Sequence, residues 1–194
     1  MVSKIEELNN YALTSASLGN IFHVIDYIEK GANNFNDIAK IAAKYGYNNI
    51  LKLALDKGAN NFKEISLYAA KFCRCSTVAY LKYLDLFDED CEELYNKSLK
   101  LRDNAILWQL DNKIYTPQEI ANNAALRGDI DVVFKMVELG ATDLLTIAMN
   151  GANSGYIDIV YWIKDKGLNE DDINKVKECA IKTQHYHINE LLTA

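Results

Sequence analysis

The spacing of its glycines limits what this chain can fold into more than any other feature. Gly19 and Gly31, Gly46 and Gly58, Gly128 and Gly140, and Gly155 and Gly167 are each twelve residues apart. The second glycine of three pairs is followed by alanine (Ala32, Ala59, Ala141), and Leu168 stands in that place in the fourth. From Gly19 to Gly46 is 27 residues, a further 27 reaches Cys73, and Gly128 to Gly155 is again 27. Self-similarity at a fixed interval is the mark of a repeat array. Cys73 to Gly128 is 55 residues, almost two periods, so a degenerate unit is expected between them with its frame position near 100–102. A last unit should have its frame position near 182–184. The reading is one array, 1–194, of about seven units near 5–33, 34–60, 61–88, 89–115, 116–142, 143–170 and 171–194, the fourth degenerate and the last a cap.

Each unit reads as two helices. Ile50, Leu51, Leu53, Ala54 and Leu55, and likewise Ile130, Val132, Val133, Met136 and Val137, follow a helical period and not a strand's alternation. The Gly-Ala pair closes that second helix, because glycine takes the left-handed conformation of a C-terminal cap at little cost. Twelve residues before the frame position stand Asn34, Asn61, Thr116 and Asp143, side chains that can accept from the free amides at a helix start. Asn61 with Glu64 and Thr116 with Glu119 have capping-box spacing, and Pro117 occupies the favoured first-turn position. Small pairs then precede the turn: Ser15-Ala16, Ala42-Ala43, Ala69-Ala70, Ala124-Ala125 and Gly151-Ala152. They let helices approach closely. A single proline in the chain leaves helices free to form almost everywhere, so the expected class is all-α. The acidic stretch Asp85 to Glu93 replaces the third Gly-Ala and is expected to turn in solvent before a divergent helix pair at about 92–112.

The spacing Ala-Ala-x-x-Gly, eleven residues, Gly-Ala resembles the ankyrin repeat, most closely through Ala42 to Ala59 and Ala124 to Ala141. Ankyrin units run about 33 residues and open with a β-turn and Thr-Pro-Leu-His. Here the unit is shorter, that motif is missing, and a loop such as Ala59-Asn60-Asn61-Phe62 replaces the hairpin. Short, asparagine-rich units of this kind resemble the degenerate ankyrin arrays of giant and other large cytoplasmic DNA viruses. The resemblance implies a solenoid of stacked helix-turn-helix repeats that holds a protein partner, a host factor if the source is viral, on its concave face. Partner specificity then falls to the two residues between the small pair and the frame glycine. Those slots give Lys44, Tyr45, Lys71, Phe72, Leu126, Arg127, Asn153 and Ser154 as candidate binding residues, beside Ser17-Leu18 in the first unit. Lys44, Lys71 and Arg127 form a basic ladder, and aromatic and arginine side chains are favoured at interface hot spots. Packing between helices is the competing use of Tyr45, Phe72 and Leu126.

A formal net charge of −6 and an isoelectric point near 5.1 argue against nucleic acid, whose non-specific affinity comes from lysine and arginine. Residues 1–7 have no apolar leader, and no stretch approaches the ~20 apolar residues that span a bilayer, so a cytoplasmic protein without a membrane partner is expected. Cys73, Cys75, Cys91 and Cys179 are irregularly spaced, as reduced structural thiols are. No catalytic residue, metal site or cofactor is assigned. His185-x-His187 with Cys179 lacks the tight ligand pairs of a zinc site, and His23 reads as a packing residue of a second helix. The glycines are taken up by the frame, which leaves no phosphate loop, and the acidic stretch lacks a calcium loop's central glycine. Two other readings stay open: a small-ligand or nucleotide site at the divergent unit, around Arg102, Trp108 and Tyr115, and self-association through an end of the stack.

Overall fold

The computed structural model describes residues 4–193; residues 1–3, part of the stretch 1–7 considered above, and residue 194 lie outside the described residues. Among them the chain is helical throughout, without a strand: α1 (Lys4–Ser17), α2 (Ile21–Glu29), α3 (Phe35–Tyr45), α4 (Asn48–Asp56), α5 (Phe62–Lys71), α6 (Cys75–Tyr83), a 3-10 turn (Glu89–Cys91), α7 (Glu92–Asp111), α8 (Pro117–Arg127), α9 (Ile130–Glu138), α10 (Leu144–Asn153), α11 (Ile157–Asp165), α12 (Glu170–Lys182) and α13 (Tyr186–Thr193). Among the described residues no helix is long and apolar enough to cross a membrane.

The chain divides into two compact units, one ending at Tyr95 and one beginning at Asn96. In the first, α1 packs on α2, α3 on α4 and α5 on α6, while α1, α3 and α5 form one row and α2, α4 and α6 another. In the second, α8, α10 and α12 form one row and α9, α11 and α13 the other, paired in the same way. The expected small pairs fill these contacts: Ala16, Ala42, Ala43, Ala69, Ala70, Ala124, Ala125 and Ala152 are fully buried, with Ser15 nearly so. Gly151 is small for a stated reason, since a Cβ there would stand 3.0 Å from Ile159.

The turn between paired helices is left-handed at six frame positions: Gly19, Gly46, Gly128 and Gly155 have φ between 71° and 85°, and Cys73 and Gln184 adopt 52° and 64°. The residue after it reaches back over the turn before. Tyr47 covers Gly19 and Arg74 covers Gly46 in the first unit; Tyr156 covers Gly128 and His185 covers Gly155 in the second. Side-chain amide oxygens on α1, α3 and α8 hold the loop that leads into the next helix of the row. Asn9 Oδ1 accepts from the Asn33 amide at 2.8 Å, Asn36 Oδ1 from those of Asn60 and Asn61 at 2.7 and 3.1 Å, and Gln118 Oε1 from that of Asp143 at 2.8 Å.

Three details differ from expectation. Residues 92–111 form one helix and not a pair, because neither glycine nor proline interrupts them at 100–102, where the frame would turn. Asn34, Asn61, Thr116 and Asp143 each immediately precede a helix, but only Thr116 and Asp143 cap through their side chains. Asn34 Nδ2 donates to the Asn9 carbonyl at 3.3 Å, and Glu64, the expected second half of a box, pairs with Lys40 at 3.0 Å. His23 is exposed instead of packed.

Candidate functional site

The 27-residue repeat places the slot residues of successive units at the C-terminal ends of adjacent helices, α3 and α5. Helix α3 ends where Gly46 turns the chain with φ 85°, and Arg74 Nε donates to the Lys44 carbonyl at 2.9 Å, tying that end to the following helix pair. Lys44 and Tyr45 are half-buried, while Lys71 is exposed and Phe72 is 37% exposed.

These four residues form one cluster. The Lys44 ammonium stands 5.0 Å from the centre of the Tyr45 ring and 5.3 Å from that of Phe72; Lys71 is 5.9 Å from Phe72. Cations at that range are held by ring quadrupoles, each contact contributing about 0.5–1 kcal/mol where solvent reaches it. Tyr68 stacks on Phe72 with centroids 6.2 Å apart, and Tyr47 stacks on Tyr45 at the same distance. The result is a semi-rigid aromatic floor carrying two positive charges. Tyr47 and Tyr68 were not among the candidates, although Tyr47 directly follows a frame glycine and Tyr68 lies one helical turn before Phe72.

The second unit treats its slots differently. Leu126 is 42% exposed and Asn153 is exposed, with Ser154 half-buried. Arg127 Nε bonds to Asp129 Oδ2 at 3.3 Å, which partly neutralises its charge at its own turn. Asn153 opens instead onto a groove of about 540 Å3 between α10 and α12, lined also by Met149, Lys175, Glu178, Cys179 and Lys182. Lys182 occupies the slot two residues before the turn at Gln184, so the frame gave the signal for it once that turn was placed. The Cys179 thiol, raised in pKa chiefly by burial, bonds to the Met149 carbonyl at 3.6 Å and is a poor nucleophile.

The residues of the ligand reading stand as follows. Trp108 and Tyr115 are 59% and 42% exposed, and Arg102 is engaged by Asp131 at 2.5 Å and Asp103 at 3.1 Å. His185 and His187 meet edge-on, ring centres 5.9 Å apart. Burial lowers the pKa of both, and His187 falls to about 4 through burial and then the neighbouring His185. Among the described residues no three His, Cys, Asp or Glu side chains converge as a metal site would need. No protein-family model matches the sequence, and no curated protein matches it.

Proposed function

We propose that the chain is a stack of short ankyrin-like repeats that binds a protein partner, and that the cluster of Lys44, Tyr45, Lys71 and Phe72 docks an acidic segment of that partner carrying an apolar side chain. The observation behind this reading is the Lys44 ammonium held over two rings, Tyr45 and Phe72, that belong to different repeats. Lys71 and Phe72 are exposed and Lys44 and Tyr45 are half-buried, so the cluster is open to a partner. Their rigidity lowers the entropy lost on association, and aromatic residues beside cations supply both burial and charge complementarity. The resemblance to viral arrays makes a host cytoplasmic protein the class of partner to examine first.

Affinity capture from cell lysate with Lys44→Glu/Lys71→Glu beside the wild type tests the proposal, once circular dichroism shows equal helicity. A protein recovered by the wild type and lost by the variant is the expected result; equal recovery by both rejects the cluster as the site. Arg127→Glu alone should change recovery less, because its charge is already answered by Asp129. Light scattering over a range of concentrations reads self-association in the same samples.

A further inference from the structure

Where the first unit departs from its repeat, it makes a cleft of the opposite polarity. Gly31 and Gly58 close the second helices of two repeats with φ of 117° and 104°, and the same frame position one period later is Asp85, with φ 57°. Glycine would hold this left-handed turn without the cost a side chain brings. Asp85 lines an open cleft of about 510 Å3 with Lys82, Phe87, Glu89 and Glu92. Phe87 and Glu89 belong to the loop and 3-10 turn that replace the usual short connection.

The cleft already holds a cation. Lys82 extends from the last turn of α6 so that its ammonium stands 5.2 Å from the centre of the Phe87 ring and 5.8 Å from that of Tyr95, while bonding to Glu92 at 2.7 Å. Two rings and a carboxylate around one ammonium, with two more acidic residues on the wall, are the chemistry that recognises a lysine or arginine side chain. The Lys82 and Glu92 side chains stay nearly half exposed, so the internal pair is weak enough to be exchanged.

We propose that this cleft receives a lysine or arginine side chain from a basic peptide segment, and that Lys82 is its intramolecular stand-in, displaced on binding. The site is separate from the cationic cluster of α3 and α5 and does not depend on it.

Fluorescence anisotropy of a labelled octapeptide alternating lysine and glycine, titrated with the full chain, reads the site; the glutamate-glycine octapeptide is the control. The wild type should bind the lysine peptide; any binding of the glutamate peptide belongs to the cationic cluster and should be lost with Lys44→Glu/Lys71→Glu. Lys82→Met removes the competitor and should tighten binding about fivefold. Asp85→Asn/Glu89→Gln/Glu92→Gln should weaken it about tenfold or more. Asp85→Gly separates recognition from folding, since it restores the residue of the repeat and should raise stability while lowering affinity. Lys44→Glu/Lys71→Glu and Glu170→Gln/Asp171→Asn should leave binding of the lysine peptide unchanged. Unaltered or weaker binding by Lys82→Met overturns the proposal. So does a loss with Glu170→Gln/Asp171→Asn as large as with the triple variant, which would mark general attraction to an acidic protein.

Discussion

The covering of each turn by a side chain from the next repeat has a measurable cost when the covered glycine gains a methyl group. At Gly19, φ is 71° and a Cβ would stand 2.6 Å from Cε1 of the Tyr47 ring, itself buried and stacked on Tyr45. At Gly46, φ is a similar 85°, but the nearest atom is Cδ of Arg74 at 3.4 Å, ordinary contact with a flexible side chain. Left-handed backbone costs alanine about 1–2 kcal/mol, and both substitutions incur that. Only Gly19→Ala adds overpacking against a ring that cannot swing away, typically about 1–3 kcal/mol. Gly19→Ala should therefore destabilise by about 2–5 kcal/mol and Gly46→Ala by about 1–2 kcal/mol. Urea unfolding followed by circular dichroism at 222 nm gives both values, and the two sites share one compact unit, so the same transition reports them. In a Tyr47→Ala background the excess at Gly19 should vanish, which a double-mutant cycle reads directly. Equal costs at the two glycines, or an excess that survives loss of the ring, would refute the claim that the ring fixes the turn.

Because the His187 pKa is lowered to about 4, the unfolded chain takes up a proton first as pH falls below an imidazole's ordinary ~6.5. Stability of the last helix pair should then fall by about 2–3 kcal/mol between pH 6.5 and 4, and His187→Leu should flatten that part of the profile in thermal melts. Thr116→Ala removes a formed capping box and should cost about 1 kcal/mol, whereas Asn61→Ala, which removes no side-chain cap, should cost less by urea titration. Asn36→Ala leaves two loop amides without their acceptor and should exceed Asn61→Ala in the same assay. Arg102→Met breaks the bonds from α7 to Asp131 and should cost about 1–3 kcal/mol, with amide exchange in α7 rising ahead of that in α8.

Much of the helical frame was legible because packing constraints act at fixed intervals. Paired small residues, left-handed turns and amphipathic second helices each demand a residue type at a set distance, and a 27-residue comparison finds them. Cys73 and Gln184 show how far that goes, since both take the left-handed turn without being glycine. At 92–111 the frame misled, placing a turn at 100–102 where one helix runs through. A helix there continues by default when nothing stops it, and only the absence of glycine and proline carries that information. Caps were half legible for a related reason. The residue type at Asn34 and Asn61 fits a cap, but the Asn34 side chain donates to the Asn9 carbonyl of α1 and the Asn61 backbone amide donates to Asn36 Oδ1 of α3, partners 25 residues away in each case. In the candidate site, the slot rule found Lys44, Tyr45, Lys71 and Phe72, and the frame shows why they meet. The rule could not show that Arg127 folds back on Asp129, because the partner lies beyond the turn glycine.

Within the first unit the departures from the frame are not evenly spread, and their distribution bears on how a partner is read. The repeat places small residues before each turn and varied residues in the slots, so the cations and rings at 44–45 and 71–72 arise within the regular frame. The acidic cleft arises otherwise, by replacing a glycine that the stack uses twice before. These two features sit at opposite ends of α6, whose nine residues span about 13 Å. A single partner touching both must present an acidic and a basic group about that far apart, and its affinity would fall with salt, less steeply once either end is neutralised. Two separate partners would instead lose affinity one at a time. Titrating the captured protein against Lys44→Glu/Lys71→Glu, Asp85→Gly and their combination at two salt concentrations distinguishes these. Losses in free energy that add, both growing at low salt, mark one ligand bridging both sites, whereas a ligand blind to Asp85→Gly belongs to the cationic cluster alone.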